Sequence, residues 1–153
     1  MSASACLFDS SVWVALAFSS HPHHAESRRA FAAADSANPA AFCRATQQSF
    51  LRIVTTPAIQ KAYGSSPITN EAAWQKWELL MALPQVVWLN EPRGMETLWR
   101  KYAARSTASP KVWMDAYLAA FARGHGISLA TLDGDFTNFT NLSVQYMLAT
   151  ATA

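Results

Sequence analysis

The sequence is poor in cysteine, glycine and charge, and each shortage excludes a class of protein. Two cysteines in 153 residues, Cys6 and Cys43, cannot form a disulfide framework or a four-ligand zinc site. We expect both to be buried, reduced thiols. The five scattered glycines form no glycine-rich phosphate-binding loop. Charged residues make up 14% of the chain and hydrophobic residues 51%, a composition that indicates a globular domain with a large core.

Long hydrophobic runs are also missing. No stretch approaches the roughly 20 apolar residues that a membrane helix needs, and the N-terminus lacks the pattern of a signal peptide. We therefore expect a cytoplasmic protein with no membrane partner. The net charge of +2 neither requires nor opposes nucleic-acid binding. The basic residues fall into small groups, such as Arg100, Lys101 and Arg105, for which solvated helix faces are the simplest explanation.

Short apolar runs alternate with segments of helical periodicity, and no repeat or linker interrupts them. We predict one domain over residues 1–153. The predicted strands are 5–8, 86–89 and 127–131. The predicted helices are 12–18, 24–34, 44–54, one from 69–71 to Pro84, 92–104, and one from Ser109-Pro110 to Arg123. This alternation predicts an α/β fold with a central, mainly parallel sheet flanked by helices.

Two aspartates follow predicted strands directly. Asp9 ends the first apolar run and Asp133 follows the last one. In parallel α/β sheets, ligands bind outside the carboxyl ends of the strands. If the two strands are central neighbours, the two carboxylates meet at the same edge of the sheet.

Asp115 is the third acid of interest. It lies three residues after Val112 and three before Leu118, which places it on or beside the apolar face of its helix. A favourable position near the positive end of the helix dipole is an alternative explanation for Asp115 alone. Carboxylates that cluster repel one another unless a hard cation lies between them, and Mg²⁺ suits that role. The three aspartates together therefore indicate a metal site.

Three blocks of the chain resemble the signature motifs of PIN-domain nucleases, and most closely the VapC toxins of bacterial toxin–antitoxin pairs. The blocks are LFDSSVW at 7–13, WMDAYLA at 113–119 and LATLDGDF at 129–136. Their order, their spacing and the chain length all agree with the family. The resemblance implies a PIN-like fold and an endoribonuclease that depends on Mg²⁺ or Mn²⁺. It also implies an RNA substrate, a homodimer and inhibition by a VapB-type antitoxin.

The resemblance also assigns roles to individual residues. Asp9, Asp115 and Asp133 would be the catalytic acids and, with Asp135, the metal ligands. Thr131 and Ser10, or Ser11 in its place, would orient carboxylates or waters from behind. We expect metal-activated water to attack the RNA phosphate, with the aspartates acting as ligands rather than as nucleophiles.

One position departs from the family pattern. The family usually carries a glutamate on the helix after its second strand, and Ser49 stands where that residue is expected. Gln47 or Gln48 could supply an amide instead, so Gln48 and Ser49 are predicted to lie beside the acids. An amide carries no charge, and we therefore expect weaker metal binding rather than a loss of chemistry.

Other classes of protein explain the sequence less well. A non-catalytic PIN-like domain that binds RNA or protein is favoured only by the missing glutamate. A phosphoacceptor enzyme would need an aspartate at position 11, which is serine. The histidines near Pro22 are interpreted as residues of a solvated loop or helix start, His125 as a loop residue, and Trp74 and Trp77 as core.

Overall fold

Five short parallel strands form the centre of the molecule. The computed structural model describes residues 4–64 and 66–148, so the domain predicted for 1–153 extends beyond the described residues at both ends. The strands are β1 (Cys6–Phe8), β2 (Ala40–Phe42), β3 (Val86–Trp88), β4 (Ser128–Thr131) and β5 (Val144–Tyr146). Their order in the sheet is β3-β2-β1-β4-β5, and every neighbouring pair is parallel. The predicted parallel sheet is confirmed, with β1 at its centre.

Helices connect the strands and cover both faces of the sheet. They are α1 (Ser10–Ala17), α2 (His24–Ala32), α3 (Arg44–Val54), α4 (Pro57–Tyr63), α5 (Asn70–Met81), α6 (Glu96–Ala103) and α7 (Val112–Gly124). A 3₁₀ helix, Gly134–Asn138, follows β4. Within the described ranges, no helix has the length and apolar character needed to span a bilayer.

The sequence patterns miss β2, α4 and β5. Strand β2 consists of Ala-Ala-Phe, and alanine is not a strand-forming residue, although all three side chains are buried. Pro57 follows the predicted end of α3 and is the first residue of α4, a position where proline loses no hydrogen bond. Strand β5 has no fully buried side chain and therefore no apolar run to identify it.

The core lies on both sides of the sheet because β1 directs successive side chains to opposite faces. Leu7 packs with the apolar face of α7, and Phe8 packs with α1 and α3 around Trp13. Both cysteines are free thiols as expected, Cys43 buried and Cys6 partly so. Trp77 contacts the core, whereas the prediction for Trp74 is wrong: its side chain is 47% exposed.

Trp13 is the centre of the α1 side of the core. Its ring is fully buried and stacks on Phe42 with 4.0 Å between ring centroids. The indole Nε1 is buried and has no hydrogen-bond partner among the described residues. The aromatic surface of Trp13, rather than its polar atom, therefore stabilises the fold.

We expect Trp13→Ala to lower the free energy of unfolding by about 3–5 kcal/mol, as for other buried aromatic residues. Trp13→Phe should cost clearly less, because it keeps a ring and removes an unpaired donor. Trp74→Ala, at an exposed position, is the control and should cost less than about 1 kcal/mol. Urea denaturation followed by circular dichroism measures all three. Equal losses for Trp13→Phe and Trp13→Ala would contradict this view of the core.

Candidate active site

The carboxyl ends of β1 and β4 lie side by side. Phe8 pairs with Ala130 in the parallel register, and the Asp9 amide donates a hydrogen bond to the Ala130 carbonyl at 2.9 Å. Asp9 then begins the turn into α1, while Thr131 and Asp133 leave β4 at the same edge. The predicted meeting of the two strand-end acids follows from this pairing.

Hydroxyl groups hold the Asp9 carboxylate from behind. Asp9 is only 8% exposed. Its Oδ2 accepts hydrogen bonds from Thr131 Oγ1 at 2.9 Å and Ser11 Oγ at 3.0 Å, and its Oδ1 accepts one from Ser10 Oγ at 3.4 Å. Thr131 Oγ1 also accepts a hydrogen bond from the Asp133 amide at 2.9 Å. One buried threonine hydroxyl thus links the Asp9 carboxylate to the backbone amide of Asp133, and both serines named from the sequence contact Asp9.

The other two acids complete an edge of negative charge. The Asp135 amide donates a hydrogen bond to Asp133 Oδ1 at 2.9 Å, and this bond fixes the start of the 3₁₀ helix. Burial and, secondarily, the charges of Asp133, Asp9 and Asp135 raise the pKa of Asp115 to about 6. Burial also raises the pKa of Asp9, while its hydrogen bonds from Thr131 and Ser11 oppose the rise. The four carboxylates are therefore electrostatic neighbours.

This edge has the chemistry of a Mg²⁺ or Mn²⁺ site but is not a closed cage. Carboxylate oxygens are the ligands that these hard cations prefer, and their mutual repulsion is relieved by a cation. Among the described residues, no three His, Cys, Asp or Glu side chains are grouped closely enough to hold a metal ion. The donor set fits such an ion, and water and substrate oxygens would have to complete its coordination.

The structure separates the three residues considered as substitutes for the missing glutamate. Gln47 is 2% exposed, Ser49 is half-buried, and Gln48 is exposed. Gln48 lies in an apolar groove of about 630 Å³ with Trp99, Trp113 and other residues of α3, α6 and α7. Among the described residues, neither Gln48 nor Ser49 makes a hydrogen bond to the acids.

Gln47 lies on the face of α3 that packs inward. Positions 47 and 49 lie about 200° apart around a helix, so they cannot both face the sheet. Gln47 shares its side of α3 with buried Phe50 and Val54. Its Oε1 accepts a hydrogen bond from Arg44 Nη1 at 2.5 Å, but its buried Nε2 has no partner within the described ranges. Burial raises the pKa of Cys43 and the charge of Asp9 adds to that rise, so α3 begins near Asp9.

The histidines take no part in this edge. His24 is the first residue of α2, and its Nδ1 lies 2.9 Å from the Ala15 carbonyl. His125 Nε2 lies 2.7 Å from the Asn90 carbonyl, just after α7. Both positions agree with the structural roles expected of them.

The fold and the acids together define an α/β domain with an acidic site at the carboxyl edge of a parallel sheet. A family model, the PIN domain, matches residues 6–142. Ribonuclease VapC41 of Mycobacterium tuberculosis is 42% identical over 142 residues, which cover 92% of this chain and 97% of that protein, in strains CDC 1551 / Oshkosh and H37Rv. The chain belongs to the PIN-domain family and, within it, to the VapC ribonucleases.

Solved structures of low sequence identity share the fold. VapC20 of Mycobacterium tuberculosis, described as a Sarcin-Ricin loop cleaving toxin, has a TM-score of 0.61 at 18% identity, covering 90% of this chain and 98% of that one. VapBC2 of Rickettsia felis, bound to a promoter DNA fragment, has a TM-score of 0.65 at 12% identity, and the match covers 92% of this chain and 97% of that one. VapBC-1 of nontypeable Haemophilus influenzae has a TM-score of 0.63 at 16% identity, and the match covers 92% of this chain and 96% of that one.

The raised pKa of Asp115 predicts a pH-dependent stability. A carboxyl group with a raised pKa binds its proton more tightly in the folded state, so wild-type stability falls as pH rises from about 4 to about 6. The full shift corresponds to about 3 kcal/mol, and solvent screening at this half-exposed residue reduces it to about 1 kcal/mol. Without metal at pH 7.5, Asp115→Asn should therefore be more stable than the wild type by about that amount.

Urea denaturation in EDTA at pH 4.5 and pH 7.5 measures the difference. The advantage of Asp115→Asn should shrink at the lower pH, where the wild-type carboxyl is protonated. Glu78→Gln, which removes an exposed acid on α5, controls for the loss of one negative charge. An advantage of equal size at both pH values would contradict the prediction.

Proposed function

We propose that this chain is an endoribonuclease that depends on Mg²⁺ or Mn²⁺ and that acts as the toxin of a type II toxin–antitoxin pair. The observation that carries the proposal is the hydrogen-bonded link from the Asp9 carboxylate through Thr131 to the Asp133 amide, with Asp115 near enough for the charges of both acids to raise its pKa. The 42% identity to a protein named a ribonuclease supports RNA as the substrate. We further propose a VapB-type antitoxin as partner, a homodimer and a cytoplasmic location.

The residues divide into those that would hold the metal and those that orient them. Asp9, Asp115 and Asp133 would be the principal ligands, and Asp135 would contribute from the start of the 3₁₀ helix. A divalent ion bound there would neutralise phosphate charge and supply an activated water. Thr131 and Ser10 would fix the Asp9 carboxylate, because their hydroxyls donate to its oxygens. Carboxylates that are already oriented are well suited to coordinate a metal ion. We therefore prefer the role of metal ligand for these aspartates to that of covalent nucleophile.

A non-catalytic RNA- or protein-binding domain is the second candidate. The missing glutamate favours it, since it leaves fewer charges for a metal. The burial of Asp9 argues against it. A carboxylate that is 8% exposed and close to the charges of Asp133 and Asp115 destabilises the fold, and a binding module gains nothing from that arrangement.

Removal of one acid tests the catalytic proposal. We expect Asp9→Asn and Asp115→Asn to abolish RNA cleavage in the presence of Mg²⁺ while retaining the fold, because each loses a charged ligand. Cleavage of a labelled RNA is read by gel electrophoresis, and circular dichroism reports the fold. Glu78→Gln should cleave at the wild-type rate. Wild-type cleavage by Asp115→Asn would refute the assignment of the site.

We also propose that Gln47, rather than Ser49, occupies the corner that the family glutamate usually fills. Its buried position and unpartnered amide support this choice. Gln47→Glu should then add a carboxylate to the acidic edge and tighten Mn²⁺ binding in the absence of RNA. Ser49→Glu should leave the affinity unchanged, because position 49 is on another side of α3.

Isothermal titration calorimetry with Mn²⁺ compares the wild type and the two variants at pH 7.5. Gln48→Glu is a further control, since its side chain lies in the apolar groove. Tighter binding by Ser49→Glu with no effect of Gln47→Glu would reverse the assignment.

A further inference from the structure

A small cavity joins the acidic edge to two basic side chains. It measures about 240 Å³ and lies between the loop that connects α6 to α7 and the 3₁₀ helix. Asp115 and Asp135 are among the residues that line it. Arg105, at the start of the loop, and Lys111, at its end, also line it, together with Asn138 from the 3₁₀ helix. Groups of both charges therefore share one cavity.

The two cations are free to bind something else. Within the described part of the chain, neither Arg105 nor Lys111 lies within ion-pair distance of an acidic side chain, despite the carboxylates that line the same cavity. Both residues are exposed. No side-chain hydrogen bond of either residue is present among the described residues. Their guanidinium and ammonium donors remain available to an anion.

From this geometry we propose that Arg105 and Lys111 bind a backbone phosphate of the RNA beside the scissile bond. The inference rests on the proposed ribonuclease function. It adds to that function the path of the RNA, which would run past the acids on the side of Arg105 and Lys111. The two residues would bind the substrate directly. They would hold the phosphate by charge and hydrogen bonds and take no part in the cleavage step.

Electrostatics explains why the cations must lie beside the acids. A cluster of four carboxylates repels a polyanion, and a divalent ion offsets that repulsion only locally. Two cations at the adjacent wall provide the attraction that brings the next phosphate into register. The N-terminus of α7 lies at the same wall, since Val112 also lines the cavity, and its dipole favours an anion there. Asn138, which also lines the cavity, supplies an uncharged hydrogen-bonding group.

A structural explanation also exists and makes different predictions. If Arg105 and Lys111 only moderate repulsion among the carboxylates, their removal would tighten Mn²⁺ binding and leave RNA binding unchanged. If they bind phosphate, their removal weakens RNA binding and reduces its dependence on salt. The log–log slope should then fall by about 0.7 for each phosphate that is no longer neutralised.

The experiment measures binding of a fluorescein-labelled 15-nucleotide single-stranded RNA by anisotropy, with Mn²⁺, between 50 and 300 mM KCl. The Asp9→Asn background keeps the RNA intact, and a gel of each sample verifies it. We expect Arg105→Ala combined with Lys111→Ala to weaken binding about tenfold at the lowest salt and to flatten the salt slope. Arg105→Lys should retain most of the affinity, because it retains the charge.

Matched controls are Arg28→Ala on α2 and Lys61→Ala on α4, both exposed cations of other elements. An unchanged affinity and slope in the double variant, or equal losses in the controls, would overturn the proposal. Cut RNA in the Asp9→Asn samples would refute the role assigned to Asp9, whereas failure of the wild-type chain to cut the same RNA with Mn²⁺ would refute the proposed function instead. In that event, RNA binding is compared in EDTA, where the same tenfold difference supports the phosphate site and its absence overturns it. Thermal denaturation establishes that each variant is folded.

Discussion

The Asp9 carboxylate is buried at the junction of β1 and β4, and the arrangement of the site depends on how that burial is compensated. Thr131 Oγ1 donates to the carboxylate and at the same time accepts the Asp133 amide, so that one fully buried hydroxyl fixes the ends of both strands. Ser11 adds a second donor from α1 and also accepts the Leu132 amide. These bonds join the two central strands at the edge where the acids meet, and they offset part of the cost of desolvating a charge.

Helix α7 turns this edge into a site with distinct sides. Asp115 faces the other acids one turn after the helix begins, while Trp113 and Met114 are largely exposed and line the apolar groove. Lys111, just before the helix, lines both that groove and the acidic cavity. Successive residues of a helix point about 100° apart, and a single turn can therefore serve an acidic wall, a cationic wall and an apolar wall.

Much of this could be predicted from the sequence because strong local signals coincide with function. Asp9 and Asp133 directly follow apolar runs, and in a parallel sheet the ends of such runs share one edge. The same signals fail for weak elements: β2 has two alanines, and Pro57 begins a helix instead of ending one. Trp74 has helical spacing with Trp77, yet its side chain is 47% exposed. Spacing identifies a face of a helix but not what covers it.

The remaining features of the site depend on contacts between distant segments, which no local pattern records. Arg105 belongs to a basic group that resembles any solvated helix end, and only the packing of the α6–α7 loop against the 3₁₀ helix places it in the same cavity as Asp135. The choice between Gln47 and Ser49 likewise depends on the rotation of α3 about its axis, which the burial of Phe50 sets. An unpaired amide at Gln47 and unpaired cations at the cavity wall are destabilising or neutral in the isolated domain. Under the proposed function, their placement becomes favourable when a divalent metal ion and an RNA phosphate bind, because ligands that bind the folded state offset such local costs.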